Sequence, residues 1–351
     1  MNKEYEAYLA QLEAEQQAAY AAELPRLHTF RPFPQGDGPP GWLKSLLPHA
    51  YIIPGDPVFV YEMRDYTAPY DRETLRRRLR WSLLGIPAGI VLWLLVQAVV
   101  RFGFQSDVVN YVTFDLNWVI FGALLIVAVL YDVVSDGVVI FGTAFNTHND
   151  PSVHRELVTL SGIDTEFVLR SKFAAGQIRQ WRVLQTTLFL RTLAVTYALL
   201  NLLGLSLVYA GLNFGPYFAE RLGSITGFTP PAAAEAMALM GMVCLCALLL
   251  IEPVWRLRAL VAAGVAASER GATATTIYNM GALVSVWLVQ VTMLAFVLIL
   301  TFVAVSSPFC LTALPVALVL VGGGGLYLLY DGLRLYWLNG AFRRMDTNSY
   351  T

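Results

Sequence analysis

The chain has 351 residues, of which 56% are apolar and 14% charged, and its formal net charge is −1. A soluble domain carries about 25% charged residues, whereas the apolar residues here fall in long blocks that give a mean hydropathy of +0.55. Composition therefore excludes a soluble enzyme and a disordered chain, and three cysteines are too few for a disulfide scaffold.

Residues 1–24 are acidic and rich in Ala, Gln and Tyr, without the basic start and apolar core of a cleavable signal peptide. Tyr5, Leu9, Leu12, Gln16 and Tyr20 recur near helical spacing and predict a short helix, either simply solvated or used for docking. Eight of the seventeen prolines fall within 25–57, which predicts an extended strap. Residues 1–54 thus form a cytoplasmic head and strap, and 55–81 a basic segment leading into the membrane.

Apolar runs of about 20 residues predict six spanning helices. They cover about 82–101, 116–142, 183–211, 232–252, 277–305 and 311–333. The fold class is therefore all-α integral membrane: a six-span bundle over 82–340, with an amphipathic interfacial helix before the first span and a short tail, 341–351. Alternate connections differ sharply in basic residues. Six Arg lie between Arg64 and Arg80; Arg155, Arg170, Lys172, Arg179 and Arg182 lie between the second and third spans. Arg256, Arg258 and Arg270 follow the fourth, and Arg334, Arg343 and Arg344 end the chain. The other connections hold only Arg101 and Arg221. Seventeen against two places both termini in the cytoplasm by the positive-inside rule.

Ionisable groups inside a membrane are costly and each needs a partner or a purpose. Asp132 and Asp136 share one face of the second span, with Arg191 of the third within reach. Glu252 closes the fourth span beside Pro253, one turn before Arg256, and Asp331 and Arg334 close the sixth. All lie in the inner half. They read as paired structural charges rather than a proton or ion relay, because the middles of the first, fifth and sixth spans carry no ionisable group. Gly85 and Gly89 form a small-xxx-small pattern, a hint of close helix contact. The run Gly322–Gly325 marks either a broken helix lining a path or a close-packed kink.

No P-loop, GxSxG or HExxH occurs. His154 and Glu156 have poor metal spacing, and Cys244 and Cys246 point to nearly opposite sides of a helix. Neither catalysis, a metal, a cofactor nor a nucleic-acid partner is expected of this chain. The cytoplasmic connection of about 143–182 is the most informative stretch. It mixes Leu157, Leu160, Ile163, Phe167, Val168 and Phe173 with Arg155, Glu156, Arg170 and Lys172. Asp164 is the candidate cap. The pattern predicts an amphipathic surface element that either lies on the inner leaflet or docks into a soluble partner.

Three pieces of this sequence resemble the type 2 ABC-transporter permeases, the membrane subunits of ATP-driven exporters. Gly55-Asp56-Pro57-Val58-Phe59-Val60-Tyr61-Glu62-Met63-Arg64, followed by Arg76, Arg77, Arg78 and Arg80, resembles their N-P-V-x-x-x-E-x-R opening and basic elbow. Arg155-Glu156-Leu157-Val158-Thr159-Leu160-Ser161-Gly162-Ile163 resembles their W-E-L-L-L-L-T-P-L-S docking segment. Residues 167–174 resemble the E-I-L-L-G-K-L-L that follows it. Thr147-His148-Asn149-Asp150-Pro151 replaces the usual acidic, Gly-Thr-containing stretch, and residues 1–54 have no counterpart in the family pattern.

The resemblance implies a non-enzymatic subunit of the cell membrane that binds a separate ABC ATPase through 154–173. It also implies a second permease chain as partner within the bilayer. The competing reading is a non-transporting scaffold or anchor of a larger membrane complex.

Overall fold

The computed structural model describes residues 57–64, 66–68, 72–103, 109–147, 165–208, 232–270, 272–306 and 316–347. The head and strap, Asp164 and most of the expected docking segment, including Arg155, Glu156, Leu157, Leu160, Ser161, Gly162 and Ile163, lie outside them. Every regular element among the described residues is helical.

Two short helices, α1 (Pro57–Glu62) and α2 (Arg72–Ser82), precede the long ones. Leu75 of α2 is fully buried while Arg76, Arg77 and Arg80 are exposed, so the helix divides into an apolar and a basic face. After a turn at Leu83 and Leu84 come α3 (Gly85–Gly103) and α4 (Val109–Thr147). Next are α5 (Thr165–Arg179) and α6 (Trp181–Val208). The chain continues through α7 (Ala232–Ser268) and α8 (Ala272–Ser306). A π-helical segment, Leu318–Gly325, then runs straight into α9 (Leu326–Thr347).

Among the described residues, five stretches are long and apolar enough to cross a membrane: Thr74–Val99, Val119–Phe145, Trp181–Asn201, Thr275–Phe296 and Leu318–Met345. They expose side chains such as Leu94, Leu95, Ile126, Leu130, Leu288 and Leu294. So much apolar surface suits hydrocarbon and not water, as in a multi-pass membrane protein. The stretch read as a fourth span, 232–252, falls in the first half of α7 and is not among the five.

The second half of α7 departs furthest from the sequence reading. Residues after Glu252, including Arg256 and Arg258, read as an inner connection. Instead, α7 continues unbroken through Pro253 to Ser268, and Ala259 to Ala267 are almost wholly buried. With this half buried throughout, α7 is the axis of the bundle, packed as a whole by α4, α5, α6, α8 and α9. The sequence of that half, RALVAAGVAAS, explains why: small side chains let neighbouring backbones approach. A Cβ on Gly264 would stand 2.7 Å from Thr143 Cβ and 2.8 Å from the Ile140 carbonyl oxygen. From the other side, a Cβ on Gly176 of α5 would come 2.8 Å from Val261 Cγ1.

The same logic joins α3 to α6. A Cβ on Gly85 would lie 2.0 Å from Thr192 Oγ1, and one on Gly89 3.0 Å from Thr196 Cβ. The glycine run of the last span is π-helical, with Gly322 buried against Leu248 of α7 and Gly324 facing open space. It widens the helix one to two turns before Tyr330.

Helix α5 also differs from its expected role as a surface element. Phe167, Val168, Leu169 and Phe173 are buried, and so are Ser171 and Lys172 between them. Lys172 Nζ reaches Glu269 Oε1 at 2.8 Å, which meets its charge inside the protein. With α1 on one side and α7 on another, α5 is an internal helix. Its apolar residues face protein rather than solvent.

Candidate functional site

At the centre of the bundle five charged side chains from three helices meet. Asp132 and Asp136 are one turn apart on α4, Arg191 comes from α6, and Glu252 and Arg256 are one turn apart on α7. Each spacing places both groups on one helix face. Arg191 Nη2 lies 2.5 Å from Asp132 Oδ2, with Nε 3.2 Å from the same oxygen, and its Nη1 lies 2.8 Å from Glu252 Oε2. Arg256 Nη2 is 2.8 Å from Asp132 Oδ1, while its Nε is 3.5 Å from Asp136 Oδ1 and 3.6 Å from Glu252 Oε1. A fourth helix joins through Tyr330 of α9, whose hydroxyl donates to Glu252 Oε1 at 2.7 Å.

Local sequence explains why Arg191 stands where it does. Pro253 has no N–H, so the carbonyl of Leu249, one turn earlier in α7, loses its helical partner. Arg191 Nη1 donates to that Leu249 oxygen at 2.6 Å. One guanidinium therefore satisfies a carbonyl freed by proline and two carboxylates, joining α6 to α4 and α7. The planar fork of arginine can do this; a lysine ammonium, a single point of charge, cannot cover the same span.

The sequence placed Arg256 beside Glu252 alone. In the structure it touches all three acids and is 3% exposed. Its place in what read as a cytoplasmic connection hid this role. Tyr330 was likewise missed. The helical offset of Tyr330 from Arg334 was available, but nothing in it predicts which helix the hydroxyl faces. Asp331 and Arg334 pair with each other at 2.7 Å on α9, apart from the central cluster. A shallow recess lies beside them, walled by Trp255, Arg258 and Tyr327. Trp255 and Tyr327 meet edge to face at 5.4 Å across it.

Among the described residues of the expected elbow and docking segment, Glu62, Arg64 and Lys172 form a second polar region, around α1 and the end of α7. Glu62 of α1 is buried, and its backbone carbonyl accepts a hydrogen bond from Arg179 Nη2 of α5. Arg64 stacks over Tyr61 at 4.0 Å, and Arg270 over Tyr278 at 3.4 Å. Arg170 is half-buried and engaged within the protein, whereas Pro57 opens α1. Arg78 reaches the Tyr66 hydroxyl at 3.4 Å, and Trp181 Nε1 donates to the Leu75 carbonyl at 3.1 Å, fastening α2 to α6.

Burial raises the Glu62 carboxyl above the ordinary glutamate value of 4.5; Lys172, Arg179 and Arg64 oppose this and Glu269 adds to it. A carboxyl raised in the folded state contributes its stability below the unfolded value and loses it as pH climbs through the folded one. Glu62→Gln should therefore gain on wild type as pH rises from 4.5 towards neutrality. Melting midpoints of the two proteins in detergent across that window check this; parallel curves would refute it.

Among the described residues, no group of three or more His, Cys, Asp or Glu side chains is arranged to hold a metal ion. Cys244 and Cys246 are free and half-buried. No family model, no curated protein and no solved structure matches the chain.

Proposed function

We propose that this chain is the membrane-spanning permease subunit of an ABC-type transporter of a bacterial plasma membrane. In this reading six spans, with both termini cytoplasmic and α2 as the interfacial elbow, pair with a second permease chain. A separate ATPase subunit docks on residues 154–163, the part of the expected 154–173 segment that precedes the buried face of α5, and supplies the energy. The chain converts that partner's motion into alternating access and does no chemistry itself.

The observation that carries the reading is the seating of α5. The helix that follows the proposed docking segment is wedged between α1, α4, α7 and α9 and continues through Gln180 into α6. A push at its N-terminal end would be passed to close-packed spans, because packed interiors transmit displacement instead of absorbing it. Its polar ties, Lys172 to Glu269 and Arg179 to the Glu62 carbonyl, couple that push to the end of α7 and to α1. A helix lying free on a leaflet would transmit nothing.

The second reading, a non-transporting scaffold, is favoured by the central charge cluster, which fastens four helices at one level. The two readings differ in their partner. A charge-reversing Arg155→Glu together with Leu157→Asp should leave the chain in the membrane and abolish co-purification of an ATPase. Unchanged co-purification would overturn the docking assignment.

A further inference from the structure

Helix α2 concentrates positive charge at the mouth of the first span. Five arginines, Arg72, Arg76, Arg77, Arg78 and Arg80, stand within its eleven residues. The acids of the segment are Glu73 and, just before the helix, Asp71, so residues 71–82 keep a net charge of +3. Helix α6, against which α2 packs, holds no acidic residue. Among the described residues, none of Arg76, Arg77 and Arg80 is seen paired with a carboxylate.

Arg76 and Arg80 are one turn apart, as are Arg77 and Trp81, and all four are exposed on one face. The opposite face holds that direction. Leu75 and Ser82 are buried there, Trp181 Nε1 donates to the Leu75 carbonyl, and Thr192 Oγ1 donates to the Ser82 carbonyl at 2.9 Å. The basic face then runs directly into apolar surface. Leu83 and Leu84 are exposed in the turn, and Ile86, Val91 and Leu94 are exposed on α3. Trp81 stands at the junction, 55% exposed. An indole, with an apolar ring and a polar N–H, suits the headgroup level of a bilayer.

A soluble acidic protein would meet these arginines but not the apolar surface beside them. A phospholipid meets both, its phosphate against guanidinium and its acyl chains against α3. Guanidinium forks match phosphate oxygens bidentately. A zwitterionic headgroup brings its own cation, so a lipid of net negative charge compensates the helix better.

We propose that Arg76, Arg77 and Arg80, with Trp81 beside them, form a docking surface for the headgroups of anionic phospholipids where the chain enters the membrane. This rests on the reading of α2 as an interfacial helix, and not on the ATPase or on a second permease chain.

The test reads Trp81 itself in vesicles that hold purified full-length protein in equimolar phosphatidylglycerol and phosphatidylcholine. Brominated acyl chains are placed on one lipid or the other, and the Trp81 signal is the difference made by Trp81→Phe in each background. Bromine on phosphatidylglycerol should quench that signal about twofold more than bromine on phosphatidylcholine, because arginines near the surface gather anionic lipid. With Arg76→Gln, Arg77→Gln and Arg80→Gln combined, the two lipids should quench alike. Equal quenching in the wild type overturns the proposal; α2 would then lie at the membrane surface with its arginines left to a soluble acidic partner. A preference kept by the triple variant overturns it too. Quenching by neither lipid would overturn the interfacial placing of α2 as well. Should the triple variant fail to fold, the wild type is measured in about 1 M potassium chloride, where screening acts within about 3 Å and the preference should vanish. A preference unchanged at that salt overturns the proposal.

Discussion

Arg256→Leu should abolish recovery of folded protein. The substitution removes the one group that touches Asp132, Asp136 and Glu252 together, leaving a formal −2 among the contacting side chains, with Arg191 still paired to Asp132 and Glu252. Removing one partner from a buried ion pair costs about 3–5 kcal/mol, because the remaining charge is neither solvated nor paired. Here three carboxylates are affected, and a whole domain is stable by only about 5–15 kcal/mol. Size-exclusion profiles of detergent-solubilised wild type and variant measure the outcome. Arg256→Leu should aggregate or disappear, and a monodisperse peak at wild-type yield would show that the cluster contributes little. Adding Asp132→Asn and Glu252→Gln to Arg256→Leu should recover part of the loss, since the stranded charges then go with the arginine.

Gly264→Leu should be nearly as damaging by an unrelated route. Even a single Cβ there would stand 2.7 Å from Thr143 Cβ and 2.8 Å from the Ile140 carbonyl oxygen. The second of these is backbone and cannot rotate away, so α4 and α7 must separate. Overpacking costs about 1–3 kcal/mol where side chains can yield, and about 3 kcal/mol or more is expected where a backbone must. Because α4 and α7 carry four of the five charged groups, the ion contacts should lengthen too. Gly281→Leu is the control: nothing lies within 4 Å of a Cβ at that position. Melting midpoints should drop by several degrees for Gly264→Leu and hardly at all for Gly281→Leu. Equal midpoints would contradict the close crossing.

Much of the bundle was legible in the sequence for one reason: a bilayer requires long apolar runs, and such runs are visible. The helices around 82–101, 116–142, 183–211 and 277–305 lie inside α3, α4, α6 and α8 to within a few residues at most ends. Hydropathy marks where a helix leaves hydrocarbon and not where the helix ends, so α4, α7 and α9 overrun their expected limits. Arg256 and Arg258 made the second half of α7 look like a solvated connection. Burial of those arginines depends on acids that are distant in sequence, a fact no local pattern contains.

The charged residues were legible as a set because ionisable groups are rare in apolar helices. Asp132, Asp136, Arg191, Glu252 and Arg256 were picked out on that ground, and Asp331 with Arg334 by their spacing. The pairs Asp132–Arg191, Glu252–Arg256 and Asp331–Arg334 were legible, but not that the first two would merge into one cluster. Depth along a span can be counted, but the rotation of one helix against another is set by packing at positions such as Gly176 and Gly264. For α5 the alternation of Phe167, Val168 and Phe173 with Arg170 and Lys172 looked like a water-facing surface. It could not show that Lys172 would find Glu269, 97 residues further on.

The proposal that this chain works with an ATP-driven partner is tested most directly by isolating the tagged full-length protein in mild detergent. Mass spectrometry then identifies the stoichiometric partners, with the Arg155→Glu, Leu157→Asp variant run in parallel. An ATPase bearing a Walker motif should accompany the wild type and be missing from the variant. Recovery instead with the subunits of an electron-transfer or biosynthetic complex, and with no ATPase, would contradict it.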